Sequence, residues 1–200
     1  MRSAWATAVV FFLGCGLLWL ATDGGRAFTS EQARRLQVER GPLTLPVVAL
    51  EDQSGHGLRF TDYAGQIVLV DFIYTRCPAL CTVLGSRFQQ LQRALTNNGK
   101  AGKVALLSVS FDPDHDNPAA LTGYAGRYGA DGRRWRIARI GDSHALTRIL
   151  KTFGVVVIPD GFGGFQHNAA IHVLDRQGRL ARILDYDAPD AELAEALAGL

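Results

Sequence analysis

The chain has 200 residues, 48% of them hydrophobic and 20% charged, which suits one packed domain with some chain to spare and excludes disorder as the resting state. Its 21 basic residues nearly balance its 19 acidic ones, and the resulting net charge of +2 excludes charge-driven binding to nucleic acid. Three cysteines are too few for a disulfide-stapled scaffold.

Residues 4–21 (AWATAVVFFLGCGLLWLA) carry no charge and have no polar face. These 18 residues reach the lower range for a membrane-spanning helix. With Arg2 ahead of them, they read as a single-pass anchor in a bacterial inner membrane, leaving the remainder in the periplasm. Two alternatives stay open. Gly25-Arg26-Ala27 offers a signal-cleavage site that would release the domain into the periplasm, and Leu13-Gly14-Cys15 weakly resembles a lipoprotein box. Residues 29–40 are polar and stop at Gly41-Pro42, as expected of a tether with some helical character. The expected organisation is therefore 1–27 anchor or signal, 28–44 tether, and 45–200 soluble domain.

Within that domain, 46–50 and 58–60 flank Ser54-Gly55-His56-Gly57 as a hairpin. Residues 67–73 are β-rich and almost continuously apolar, as in a central strand. Residues 78–97 place Leu80, Leu84, Phe88, Leu91 and Leu95 on one helical stripe, which Asn97-Asn98-Gly99 stops. A strand at 104–109 follows, and Asn117-Pro118 opens a helix to about residue 128 as N-cap and first-turn proline. A short strand at 137–140 precedes a helix capped by Asp142 and running to about residue 153. Residues 169–174 and 180–184 form a hairpin around Arg176-Gln177-Gly178, and a last helix starts at Asp187 or Pro189. Such strand–helix alternation predicts an α/β fold: a mixed, largely parallel sheet with helices on both faces.

Cys77 and Cys81 sit where strand 67–73 gives way to helix 78–97, the end of a βα unit at which open α/β sheets place their sites. A helix N-terminus favours the thiolate, and Arg76 adds positive charge beside Cys77. The i,i+4 spacing puts both sulfurs on one helical face. Either a reversible disulfide or shared ligation of a soft metal fits that spacing. The bland reading is two small buried hydrophobes or a structural disulfide. A metal held by two thiolates needs a further ligand, and five histidines are available: 56, 115, 144, 167 and 172. His115 lies in an acidic loop after a strand, and His167 follows the glycine-rich stretch 161–166, a flexible arm suited to reaching a metal. Spacing alone leaves both in play.

The run Asp71-Phe72-Ile73-Tyr74-Thr75-Arg76-Cys77-Pro78-Ala79-Leu80-Cys81 resembles the signature of the Sco/SenC copper-binding proteins. Phe111-Asp112-Pro113-Asp114-His115-Asp116 resembles their acidic loop, Trp135 and Gly141 a later Trp-to-Gly stretch, and His167 their metal-binding histidine before the last hairpin. Thr82 and Gln166 depart from the family pattern, which commonly has Pro and Asp there. The resemblance covers about residues 46–184. It implies a thioredoxin-like fold with an added N-terminal hairpin, and Cys77, Cys81 and His167 as ligands to copper, as Cu(I) or Cu(II). It also implies a metallochaperone for the binuclear copper centre of cytochrome c oxidase, the partner being the copper-centre subunit or another periplasmic copper protein.

Soft thiolates with one imidazole suit that metal, and a three-ligand set leaves a side open for transfer. Two other functions stay in view. One is a thiol–disulfide reductase in which Cys77 attacks and Cys81 resolves, keeping a partner's copper-ligand cysteines reduced. The other is a copper or redox sensor. The arginines at 133, 134, 136 and 139 read as a solvated strand edge, and Asp112, Asp114 and Asp116 as a turn and capping loop, since the spacing lacks the glycine and late glutamate of a calcium loop.

Overall fold

The computed structural model describes residues 2–77, 80–97 and 103–200. The chain divides into two compact units, 1–42 and 43–200. The first holds α1 (Arg2–Ala21) and α2 (Ser30–Arg40). α2 begins with a capping box: the Gln32 amide donates to the Thr29 hydroxyl at 3.1 Å and the Thr29 amide donates to the Gln32 side chain at 3.2 Å. α1 is apolar around its circumference, with Phe11, Phe12, Leu17 and Leu20 exposed. Among the described residues no helix is long and apolar enough to cross a membrane. The expectation of a spanning anchor over 4–21 is therefore not supported.

The second unit is built on an eight-stranded sheet. Its strands are β1 (Leu43–Thr44), β2 (Leu50–Asp52), β3 (Gly57–Leu58), β4 (Ile67–Ile73), β5 (Val104–Ser110), β6 (Trp135–Arg139), β9 (Ala170–Leu174) and β10 (Arg179–Asp185). They lie in the order β1-β10-β9-β4-β5-β6-β2-β3. The helices are α3 (Leu80–Asn97), α4 (Pro118–Tyr128), α5 (Ser143–Phe153) and α6 (Asp190–Ala198). β7 (Val157–Pro159) and β8 (Phe165–His167) form a separate antiparallel pair.

Every residue of β4 and β5 is buried, which is why both read as unbroken apolar runs. The helix signals work as read: Asn117 accepts from the Ala120 amide at 3.0 Å, Asp142 from the Ala145 amide, and Gly129 and Gly154 close α4 and α5 in the left-handed conformation. The expected helix start at Pro78 and stop at Asn98-Gly99 lie outside the described residues.

Register assigns the two faces. Asp71 pairs with Ser108, whose hydroxyl accepts from the Trp135 indole at 2.9 Å, and Trp135 packs on Phe88 of α3, so this face lies under α3 and α4. Phe72 is on the other face, against Phe153 of α5 and His172 of β9. Helices thus cover both faces, as expected. The sheet is not largely parallel: only β4–β5 and β5–β6 run parallel, and the remaining pairings are antiparallel. The reason is that hairpins, not crossover helices, deliver the strands at both ends. Nor is β6 an edge, since β5 and β2 flank it; Trp135 is fully buried and Arg139 pairs with Glu51 at 2.7 Å.

Candidate metal centre

β4 ends at Ile73, and the chain turns through Tyr74, Thr75 and Arg76 into Cys77. Cys77 lies ahead of α3 and Cys81 within its first turn, so the sulfurs meet across a turn–helix junction rather than on one helical face. Both are free thiols and both are buried. The Cys81 amide donates to the Cys77 sulfur at 3.2 Å. Burial pushes the Cys81 thiol well above its ordinary value, helped by Cys77 and by the charge of Asp71, so the helix terminus does not make Cys81 a ready thiolate.

His167 comes from β8. Its Nε2 stands 3.9 Å from the Cys81 sulfur, and its Nδ1 is 3.0 Å from the Asn168 carbonyl. A carbonyl only accepts, so Nδ1 carries the proton and the Nε2 lone pair faces the cysteines. Burial also lowers the His167 pKa, with the Asn168 hydrogen bond opposing, which favours the neutral imidazole that ligates metals. Among the described residues, the two sulfurs and this nitrogen form a cluster whose donor atoms all lie within 4.8 Å of one another. An ion about 2.3 Å from sulfur and about 2.0 Å from nitrogen separates its ligands by up to roughly 4.6 Å, so the donors fit one ion with little movement. An open cleft of about 590 Å³ lies beside them, lined by Tyr74, Arg76, Cys77, Phe162, Phe165 and His167.

Among the described residues the other histidines stay outside this cluster. His115 Nδ1 bonds Asp112 at 2.8 Å, His172 Nε2 bonds the Phe153 carbonyl at 3.1 Å, His56 lies beside Asp52, and His144 is exposed. Arg76 is drawn from Cys77 to Asp112 at 2.8 Å. The acidic loop proves to be a clamp: Asp116, fully buried, accepts from the Thr75 amide at 2.9 Å, the Thr75 hydroxyl at 2.6 Å and the Ser110 hydroxyl at 2.5 Å. The glycine-rich arm is also tied down, because the Asp160 side chain accepts from the Phe162 and Gly164 amides at 2.8 and 2.9 Å.

Two contributors escaped the sequence reading. Asn168 orients the imidazole through its carbonyl and anchors the hairpin through its side chain, which accepts from Val156 at 2.7 Å and donates to Gly154 at 3.0 Å; nothing in the sequence marks it. Asp71 is fully buried, and burial pushes it up to about 7. One acid inside a seven-residue apolar strand was its visible signal.

Residues 46–200 match the SCO1/SenC family profile. The chain belongs to the SCO1/SenC family. It is 25% identical over 176 residues to an SCO1 protein homolog of Bacillus subtilis (strain 168), covering 87% of this chain and 84% of that one. Bradyrhizobium japonicum ScoI with copper bound is similar in structure, with a TM-score of 0.65 and 24% identity over 78% of this chain and 99% of that one. BsSco, described with a disulfide switch and as a member of the Sco family of cytochrome c oxidase assembly proteins, has a TM-score of 0.69 and 20% identity over 79% of this chain and 93% of that one. At these identities the structural likeness establishes the fold.

Proposed function

We propose that this SCO1/SenC protein is a copper metallochaperone that binds one copper ion through Cys77, Cys81 and His167 and delivers it to the binuclear copper centre of cytochrome c oxidase. The convergence of two sulfurs and one imidazole nitrogen within 4.8 Å carries the reading. Copper bound to ScoI, on the same fold, supports the choice of metal. The description of BsSco as belonging to a family of oxidase assembly proteins supports the partner. Thiolates favour Cu(I), and imidazole accepts either oxidation state. Each thiol gives up its proton as the metal binds. Three protein ligands beside an open cleft leave a side from which an incoming ligand can take the ion. The compartment proposed is the bacterial periplasm, a reading supported by the uncharged segment behind Arg2.

The test is copper bound per chain, measured on the reduced full-length protein without oxygen, beside a His167→Ala variant and a variant lacking both Cys77 and Cys81. One ion per chain, held more weakly in His167→Ala, is expected. Binding no greater than in the cysteine-free variant refutes the reading. Cys77 and Cys81 would then be pursued as a thiol–disulfide reductase pair, which their adjacency as free thiols favours as the second reading.

A further inference from the structure

The two halves of the donor set belong to different structures. The cysteines follow β4 in the eight-stranded sheet, whereas His167 lies on the separate β7–β8 pair, 86 residues beyond Cys81. Ligand sets tolerate placement errors of only about 0.5 Å, so something must hold these parts in register. Tyr74 touches both. Its main chain serves the cysteines: the Cys77 amide donates to the Tyr74 carbonyl at 3.2 Å. Its side chain serves the histidine hairpin. The hydroxyl donates to the Phe165 carbonyl and accepts from the Phe165 amide, both at 3.3 Å, as a neighbouring strand would.

The ring adds packing. Its centroid is 5.3 Å from Phe165, 5.4 Å from Phe111 and 6.3 Å from His167, while Phe111 stands 4.9 Å from the imidazole. Phe111 contributes packing alone; the hydroxyl is what binds the hairpin backbone. Gly164 lies next to this contact: a Cβ there would stand 3.4 Å from the Tyr74 hydroxyl, an ordinary contact, and 2.6 Å from the Asp160 carboxylate.

We propose that Tyr74 is a positioning residue whose hydroxyl staples the His167 hairpin to the cysteine turn and so fixes the Cys–His separation. The proposal rests on the reading of Cys77, Cys81 and His167 as copper ligands. Tyr74→Phe keeps the ring and removes the hydroxyl, with its two bonds to the Phe165 backbone and its contact with the Cys77 side chain; only the first acts through His167.

Two measurements on the full chain test it. The first is Cu(I) affinity, by competition with a chromophoric chelator, for wild type, Tyr74→Phe, His167→Ala and the double variant. Tyr74→Phe is expected to weaken binding about three- to tenfold, the effect of losing a modest hydrogen bond, and to have no effect when His167 is already absent. Equal weakening with and without His167, or none, overturns the proposal. The second is amide exchange in the metal-free protein. Tyr74→Phe is expected to speed exchange at Phe165 and across 157–167 while leaving β4 and β5 unchanged; unaltered exchange at Phe165 overturns the staple. Should wild type hold no more Cu(I) than the cysteine-free variant, the ligand reading fails, and the exchange result alone decides whether the staple exists.

Discussion

Asp116 holds Thr75 twice, accepting from its backbone amide at 2.9 Å and its hydroxyl at 2.6 Å. Since Thr75 stands two residues before Cys77, this pair pins the loop after β5 to the turn that carries the first cysteine. A third bond, from the Ser110 hydroxyl at 2.5 Å, completes the acceptor's set in a fully buried position. Asp116→Ala removes all three bonds and leaves a buried amide and two hydroxyls without that partner. It is expected to lower the unfolding free energy by about 2–4 kcal/mol in chemical denaturation. A loss below about 0.5 kcal/mol, the ordinary surface value, would mean that the clamp contributes nothing.

Gly85 makes room for Tyr128 where α3 crosses α4. A Cβ at Gly85 would meet the Tyr128 ring at 2.8 Å, closer than real contacts allow. Tyr128 is buried, its ring 4.7 Å from that of Tyr124, whose hydroxyl donates to the Cys81 carbonyl at 3.2 Å. Displacing this ring therefore loosens the helix that bears Cys81. Gly85→Ala is expected to destabilise the protein by about 1–3 kcal/mol through overpacking, despite alanine's better helix propensity. A thermal midpoint equal to or above that of wild type would contradict the close-packing account.

Local signals explain how much of this was legible. Asn117-Pro118, Asp142, Gly154 and the apolar stretch Ile67–Ile73 each act through neighbours in sequence, so the helix starts and central strands could be read directly. β1 and the β7–β8 pair escaped because strands of two or three residues carry too little period to stand out. Strand direction escaped as well, since antiparallel pairing at the ends depends on which hairpins fold back. The cysteine pair was conspicuous by spacing, but His167 was not separable from His115 that way. Only the fold shows His115 held by Asp112 and His167 facing Cys81.

His115 provides the control for that distinction. It is the histidine of the acidic loop, and its Nδ1 is committed to the buried Asp112 at 2.8 Å, the carboxylate that also binds Arg76. His115→Ala is expected to leave copper stoichiometry and affinity within about twofold of wild type, since its side chain is half exposed and outside the donor cluster. A drop matching that of His167→Ala, in the same Cu(I) competition, would place His115 in the ligand set and displace the assignment made from the geometry.

Asp71 should leave a mark on the pH dependence of stability. It lies in the middle of β4, on the face under α3 and α4, where burial opposes its charged form and the Ser108 hydroxyl and its own amide offset only part of that cost. Its pKa is raised from an ordinary 3.8 to about 7 in the folded chain. Between those values the native state keeps a proton that the unfolded state has released. The native state therefore binds more protons, and stability falls as pH rises across that window. Below it both states are protonated and the carboxyl is neutral; above it the fold carries a buried charge. Asp71→Asn retains the shape and removes the titration. Relative to Asp71→Asn, wild type is expected to be similarly stable near pH 4 and progressively less stable towards pH 7 and above, in denaturation series run on both proteins. A difference that stays constant from pH 4 to 8 would mean that the Asp71 carboxyl is solvated or paired in solution, and the buried neutral acid beneath Cys81 would have to be abandoned.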